Sequence, residues 1–288
     1  MEISELLKRV KRIEIKSKGL SRNIFSGQYH SAFKGRGMAF SEVREYIPGD
    51  DIRNIDWNVT ARFDSPFVKV FEEERELSVI LMIDISASSM FGVTNEYKKN
   101  IIAEIAATIA FSANQNNDKI GVIFFSDKVE KFIPPKKGKS HILHIIRDII
   151  AIERTSERSS LKESVEFLFK AIKKRSTVFI LSDFIFPINF SDALKICGKK
   201  HDMIAIKIND KTEKEFPSVG LLPFQDMETK QVMWIDTSNK EFKNKIQSEY
   251  LKHNNQLNQL FRQAKIDHCE ILTHQNYIIP LSSIFQKR

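Results

Sequence analysis

Ser78-Val79-Ile80-Leu81-Met82-Ile83-Asp84-Ile85-Ser86-Ala87-Ser88 is the stretch on which the fold turns. Its opening is a continuous apolar run, the mark of a strand buried on both faces rather than one alternating between core and solvent. The run stops at a carboxylate and is followed by serines. A second run of the same kind, Thr177–Leu181, stops at Ser182-Asp183. Further strands are expected at Lys119–Phe125, Asp202–Ile208 and Cys269–Leu272. Helical patterns lie between them at Tyr97–Asn116, Ser140–Ile152, Ser160–Lys174, Asp192–Lys199 and Asn239–Lys265. Such alternation predicts an α/β fold: a doubly wound, mostly parallel sheet covered by helices on both faces. Val129–Ile133 is expected to form a hairpin with the strand before it. Val219–Phe224 and Gln231–Ile235 are expected to form a two-stranded excursion, and Leu281–Phe285 a terminal turn.

The first 76 residues have a different texture. Ile3, Leu6, Leu7, Val10 and Ile13 fall on one stripe and predict a basic amphipathic helix over 2–18, with Gly19 as its stop. Residues 25–76 are irregular and turn-rich; Pro48-Gly49-Asp50 is a strong turn signal and Phe67–Phe71 a short strand. The expected division is residues 1–76, a helix plus a small, mostly β region, and residues 77–288, the sheet domain.

The chain has 288 residues, 42% of them apolar, with only 10 Gly and 8 Pro. This excludes disordered and low-complexity classes. No apolar run approaches the roughly 20 residues that span a bilayer. Met1–Val10 carries Glu2 and Glu5 and has no signal-peptide core. Cys197 and Cys269 form no metal-binding or redox motif and read as small buried hydrophobes in a reducing, cytoplasmic compartment. The net charge of +8 is uneven: nine basic and three acidic side chains over 1–36, five and ten over 37–77.

In an open parallel sheet, polar residues at the carboxyl ends of strands face the ligand crevice. Asp84 and Asp183 both stand there. If their strands are neighbours, two carboxylates and several hydroxyls meet in an all-oxygen set suited to Mg²⁺ or Mn²⁺ and poorly suited to zinc. The bland alternative is that Asp and Ser at a strand end merely cap the following helix.

Asp84-Ile85-Ser86-Ala87-Ser88 resembles the Asp-x-Ser-x-Ser of the metal-ion-dependent adhesion site in von Willebrand factor A domains. The resemblance implies Mg²⁺ held by Asp84, Ser86, Ser88 and Asp183. The family's threonine is matched by Ser159, which keeps the hydroxyl and loses the methyl, with Thr155 as a rival. Arg44-Glu45-Tyr46-Ile47-Pro48-Gly49-Asp50-Asp51-Ile52-Arg53-Asn54-Ile55-Asp56-Trp57, then Ala61-Arg62, resembles the signature of domain-of-unknown-function family fifty-eight. These are bacterial proteins with a von Willebrand A-like domain, whose genes commonly sit beside MoxR-type AAA+ ATPases. The match extends to Gly35-Arg36-Gly37 and Leu281–Arg288. It implies a non-catalytic protein-interaction module, accessory to a MoxR-type ATPase or its client, in which an acidic residue of the partner completes the metal's coordination shell. Arg44, Tyr46, Asp50, Asp51, Arg53, Asp56, Trp57 and Arg62 are either a partner surface or an ion-pair network fixing the small region; the second reading is preferred.

Other chemistries find less support. A phosphoryl-transfer enzyme using Asp84 as nucleophile wants an acid two residues later, where Ser86 stands. Gly138-Lys139-Ser140 lacks the rest of a phosphate loop. His141 and His144 have no third ligand, and Ser88 has no partner base in a recognisable order. Nucleic-acid binding through Lys8–Lys18 and Lys34–Arg36 would lack an aromatic-rich basic strand and is not expected.

Overall fold

The computed structural model describes residues 3–20, 39–63, 65–72, 77–86, 96–152, 160–210, 218–225 and 232–288. The chain divides into two compact units, residues 1–32 with 78–288, and residues 33–77.

The larger unit is built on the expected sheet. Its strands are β3 (Ser78–Asp84), β4 (Lys119–Phe125), β5 (Val129–Lys136), β6 (Thr177–Ser182), β7 (Asp202–Asn209) and β10 (Asp267–Leu272), while β8 (Leu221–Gln225) and β9 (Val232–Asp236) form the expected separate antiparallel pair. The spatial order in the sheet is β10-β7-β6-β3-β4-β5; all neighbours are parallel except β4 and β5. From β3 the chain winds outward to β4, then returns to β6 on the other side. β3 is therefore the switch point of the winding, and the crevice at its carboxyl end is where this topology puts ligands.

The apolar runs explain the layers. In β3, Val79 through Ile83 are all fully buried, which requires cover on both faces. On one face Ile80, Met82, Val178 and Ile180 pack with Leu161, Val165 and Leu168, with Leu194, and with Leu257, Leu260 and Phe261. These come from the helices Leu161–Ala171, Ser191–Lys200 and Lys240–Gln263. On the other face Phe179 meets Phe285 edge-on, with ring centroids 6.3 Å apart. Each fully buried aliphatic side chain contributes about 1.5–3 kcal/mol, so this sheet holds most of the unit's stability. β5 runs on through Pro134-Pro135, which an edge strand tolerates. A Cβ at Gly121 would lie 2.9 Å from both Ile133 O and Pro135 N, so the close approach of β5 needs glycine there.

Two elements differ from the sequence reading. Helix α1 (Ile3–Leu20) passes through Gly19 rather than stopping there. It groups with the sheet unit and not with the residues that follow it. Val10 and Ile13 are buried, Lys16 pairs with Glu104 at 2.5 Å, and Glu14 pairs with Lys139 at 2.9 Å. The helix thus covers its own unit: the division near residue 76 falls at 77/78, and what differs is that residues 1–32 group with the sheet unit. The terminal turn is a helix, Ile278–Gln286, anchored by Leu281, Ile284 and Phe285.

The smaller unit is an antiparallel pair, β1 (Ala39–Glu45) with β2 (Phe67–Glu72), bulged between Phe40 and Glu42. A 3₁₀ turn at Ile52–Asn54 and a single helical turn at Trp57–Thr60 connect the strands. Val68 is its one buried apolar side chain among the described residues.

Candidate functional site

β3 and β6 lie side by side in parallel, with Ile83 opposite Leu181. The next residues are therefore neighbours at the carboxyl edge. Asp84 and Asp183 are 0% and 1% exposed. Asp84 Oδ1 accepts from the Ser86 backbone N at 2.9 Å, and Oδ2 accepts from Ser182 Oγ at 2.6 Å. Asp183 Oδ1 accepts from Ile185 N at 3.0 Å, while its Oδ2 is buried without a hydrogen bond. Burial, then the nearby charge of Asp183, pushes the Asp84 carboxyl up to about 6, against the pull of its hydrogen bonds.

The backbone beyond β6 turns sharply. Phe184 has φ of 55°, in the left-handed region, and is fully buried. Its N donates to Ser182 Oγ at 2.9 Å, and its carbonyl meets His253 Nε2 at 2.8 Å. Such conformations cost energy and persist where the surroundings hold them. Here they hold Asp183 in place.

One cation sits among these acids. Lys98, in the first turn of the helix Glu96–Gln115, is 1% exposed, and its Nζ lies 3.5 Å from Asp183 Oδ2. A lysine is almost never fully buried unless paired. The sequence reading missed it, yet the signal was present: Lys98 stands three residues before Ile101, four before Ile102 and seven before Ile105, on the helix's buried face.

Ser86 is buried beside Asp84. Ser88, Ser159 and Thr155 lie outside the described residues. Ser160 N donates to Ser126 O at 2.8 Å, just past the end of β4. The chain following Ser159 is thereby tied to the strand next to β3. The donors brought together are two carboxylates and hydroxyls; among the described residues no three of His, Cys, Asp and Glu cluster. This set, with one buried carboxylate oxygen lacking a hydrogen bond, fits a hard divalent ion such as Mg²⁺ or Mn²⁺. His141 Nε2 bonds Ile120 O at 2.9 Å, and His144 Nδ1 lies 2.6 Å from the Arg147 guanidinium, so both work structurally. Burial pushes both thiols, Cys197 and Cys269, up to about 12, which leaves them unreactive.

In the smaller unit, the Arg44–Arg62 string is a set of local clasps. Arg44 grips Asp50 with two bonds of 2.7 and 2.8 Å, and Asp50 also accepts from Ile47 N. Asp51 accepts from Arg53 N at 3.0 Å and pairs with its guanidinium at 2.8 Å. Asp56 caps the turn that begins at Trp57, accepting from Asn58 N and Val59 N. Tyr46 N bonds Pro66 O. Arg62 is exposed, and Trp57 is 70% exposed.

A family model described as "Protein of unknown function DUF58" matches residues 42–256. The chain belongs to this family. A relative of uncharacterised function, Rv1480 of Mycobacterium tuberculosis, is 29% identical over 222 residues, 76% of this chain and 70% of the relative. Among solved structures, an aerotolerance-related membrane protein of Bacteroides fragilis aligns over 74% of this chain and 100% of its own, at 11% identity and a TM-score of 0.48. The SpRpn10 VWA domain aligns over 74% and 96%, at 10% identity and a TM-score of 0.41. The larger unit of this DUF58 protein keeps the doubly wound, mostly parallel sheet that its sequence predicts. The cytoplasmic expectation is corrected: one of these similar structures is described as a membrane protein. No helix among the described residues is long and apolar enough to cross a membrane, which assigns no compartment.

Proposed function

We propose that this DUF58 protein is a protein-interaction module whose docking point is a divalent-metal site at the carboxyl ends of β3 and β6. Asp84, Ser86, Ser88 and Asp183 hold Mg²⁺ or Mn²⁺, with Ser159 or Thr155 supplying a further hydroxyl. The observation that carries the reading is the meeting of two buried carboxylates at the switch point, one with an oxygen that accepts no hydrogen bond. Two carboxylates and neutral hydroxyls leave the ion electrophilic and partly hydrated. An acidic side chain on a partner then replaces a water and completes the shell. The partner class is a MoxR-type AAA+ ATPase or its client; this comes from the family resemblance and not from the geometry. A binding role also accounts for Ser86 two residues after Asp84, where a phosphoryl-transfer enzyme would need an acid.

The test is direct ion binding. Free aqueous Mn²⁺ gives a sharp paramagnetic resonance signal that fades when the ion is bound. Titrating the EDTA-stripped chain should show one site per chain, lost in Asp183→Ala. An undiminished signal at millimolar protein and Mn²⁺ contradicts the reading.

A further inference from the structure

Lys98 plays no part in the site as proposed, yet it is the most unusual side chain near it. Nothing in a hydrophobic core favours an ammonium there. Its Nζ lies 3.5 Å from the one carboxylate oxygen of the site without a hydrogen bond, and both side chains are shielded from water, at 1% and 0% exposure. Around it, Asp84 has its oxygens bonded to Ser86 N and Ser182 Oγ, and Asp183 Oδ1 is bonded to Ile185 N. Asp183 Oδ2 is thus the place where positive charge is most needed, and Lys98 supplies it.

We infer that Lys98 sets the metal affinity of the site by acting as its resident cation, so that the ammonium and a divalent ion compete for the same carboxylates. The inference rests on the metal reading of Asp84 and Asp183. Two buried carboxylates with no counter-charge would repel each other and pay heavily for lost hydration. One ammonium answers that repulsion in part and leaves the trio at net −1. A divalent ion entering beside a fixed ammonium meets a like charge at short range in a poorly screened environment. Lysine has a flexible four-carbon stem and a compact, strongly hydrated head, so it can withdraw as the ion enters. That withdrawal weakens ion binding. A partner's carboxylate lowers the barrier from the other side, by joining the ion and by adding negative charge. Lys98 therefore makes occupancy depend on the partner, and a bare ion alone binds weakly.

The experiment compares wild type with Lys98→Met, which keeps the length of the side chain and removes the charge. Both are EDTA-stripped and titrated with Mn²⁺, following the loss of the free-ion resonance and, separately, the thermal midpoint. The expected result is an Mn²⁺ midpoint at least tenfold lower in Lys98→Met, together with a lower unfolding temperature in EDTA that Mn²⁺ restores. If wild type binds Mn²⁺ and Lys98→Met binds no more tightly, the inference is overturned and the metal reading survives. If only Lys98→Met binds, the competition stands and the metal reading of the wild-type chain fails. If neither binds, both fail. Should Lys98→Met not fold in EDTA, it is refolded from urea with Mn²⁺. Recovery supports interchangeable cations. Failure, while Lys98→Met/Asp183→Asn folds, overturns them.

Discussion

The two units handle carboxylates in opposite ways. In the smaller one, Asp50, Asp51 and Asp56 are partly exposed, and each is met by arginine or backbone donors within its own few residues, with Lys69 also beside Asp56. Hydrogen bonds from Arg44 and the backbone hold the Asp50 carboxyl below its usual range. In the larger unit, Asp84 and Asp183 are fully buried, and the Asp84 carboxyl is pushed up instead. A satisfied carboxylate is a structural clasp. A buried carboxylate left short of donors keeps its affinity for an added cation. The dense charged string of residues 44–62 thus does local work, while the two sparse aspartates carry the chemistry.

The largest effects that could break this comparison lie in the cores. Leu81→Ala, in fully buried β3, should lower stability by about 2–5 kcal/mol in urea unfolding. Trp57→Ala, at a 70% exposed position, should change it by less than about 0.5 kcal/mol. A large loss at Trp57 would make the smaller unit's exposed face a packing surface and undo the contrast.

Next comes the pH dependence of Asp84. Its folded value is raised from 3.8 to about 6, so its contribution to stability is fully present below about 4 and is lost as pH rises through about 6. In EDTA, Asp84→Asn should therefore gain on wild type across that window, by about 2–3 kcal/mol. A gap that stays flat from pH 4 to 7 would mean that burial and the charge of Asp183 do not raise the Asp84 carboxyl. Asp50 runs the other way. Its stabilising contribution is present at neutral pH and lost as acid protonates it, so Asp50→Asn should matter at pH 7 and become silent at low pH. Smallest of all is Arg53→Ala. That guanidinium is 85% exposed in its pair with Asp51, and its removal should leave the thermal midpoint unchanged.

The sheet was legible because four strands are buried runs with turn signals between them, a pattern that few other folds produce. Asp84 and Asp183 were legible because a charge after such a run can only stand at the strand's end. Lys98 was not read, because lysines on helices are normally solvated and only its register with Ile101, Ile102 and Ile105 betrays it. The place of α1 was not read either. An amphipathic stripe says that a helix covers something, and only tertiary pairs such as Lys16 with Glu104 say what. Phe184 in the left-handed region has no local signal at all, since glycine or asparagine is the usual residue there.

The central claim is that the two buried aspartates await a divalent cation. Its most direct test is thermal unfolding of the EDTA-stripped protein with and without Mn²⁺. An ion that binds only the folded chain stabilises it by about 2.7 kcal/mol at a hundredfold excess over its dissociation constant, a rise of about 5–10 °C for a domain of this size. The account predicts that rise in wild type and its absence in Asp183→Ala. An equal rise in both would place the ion elsewhere, and either that or an unmoved wild type would contradict the account.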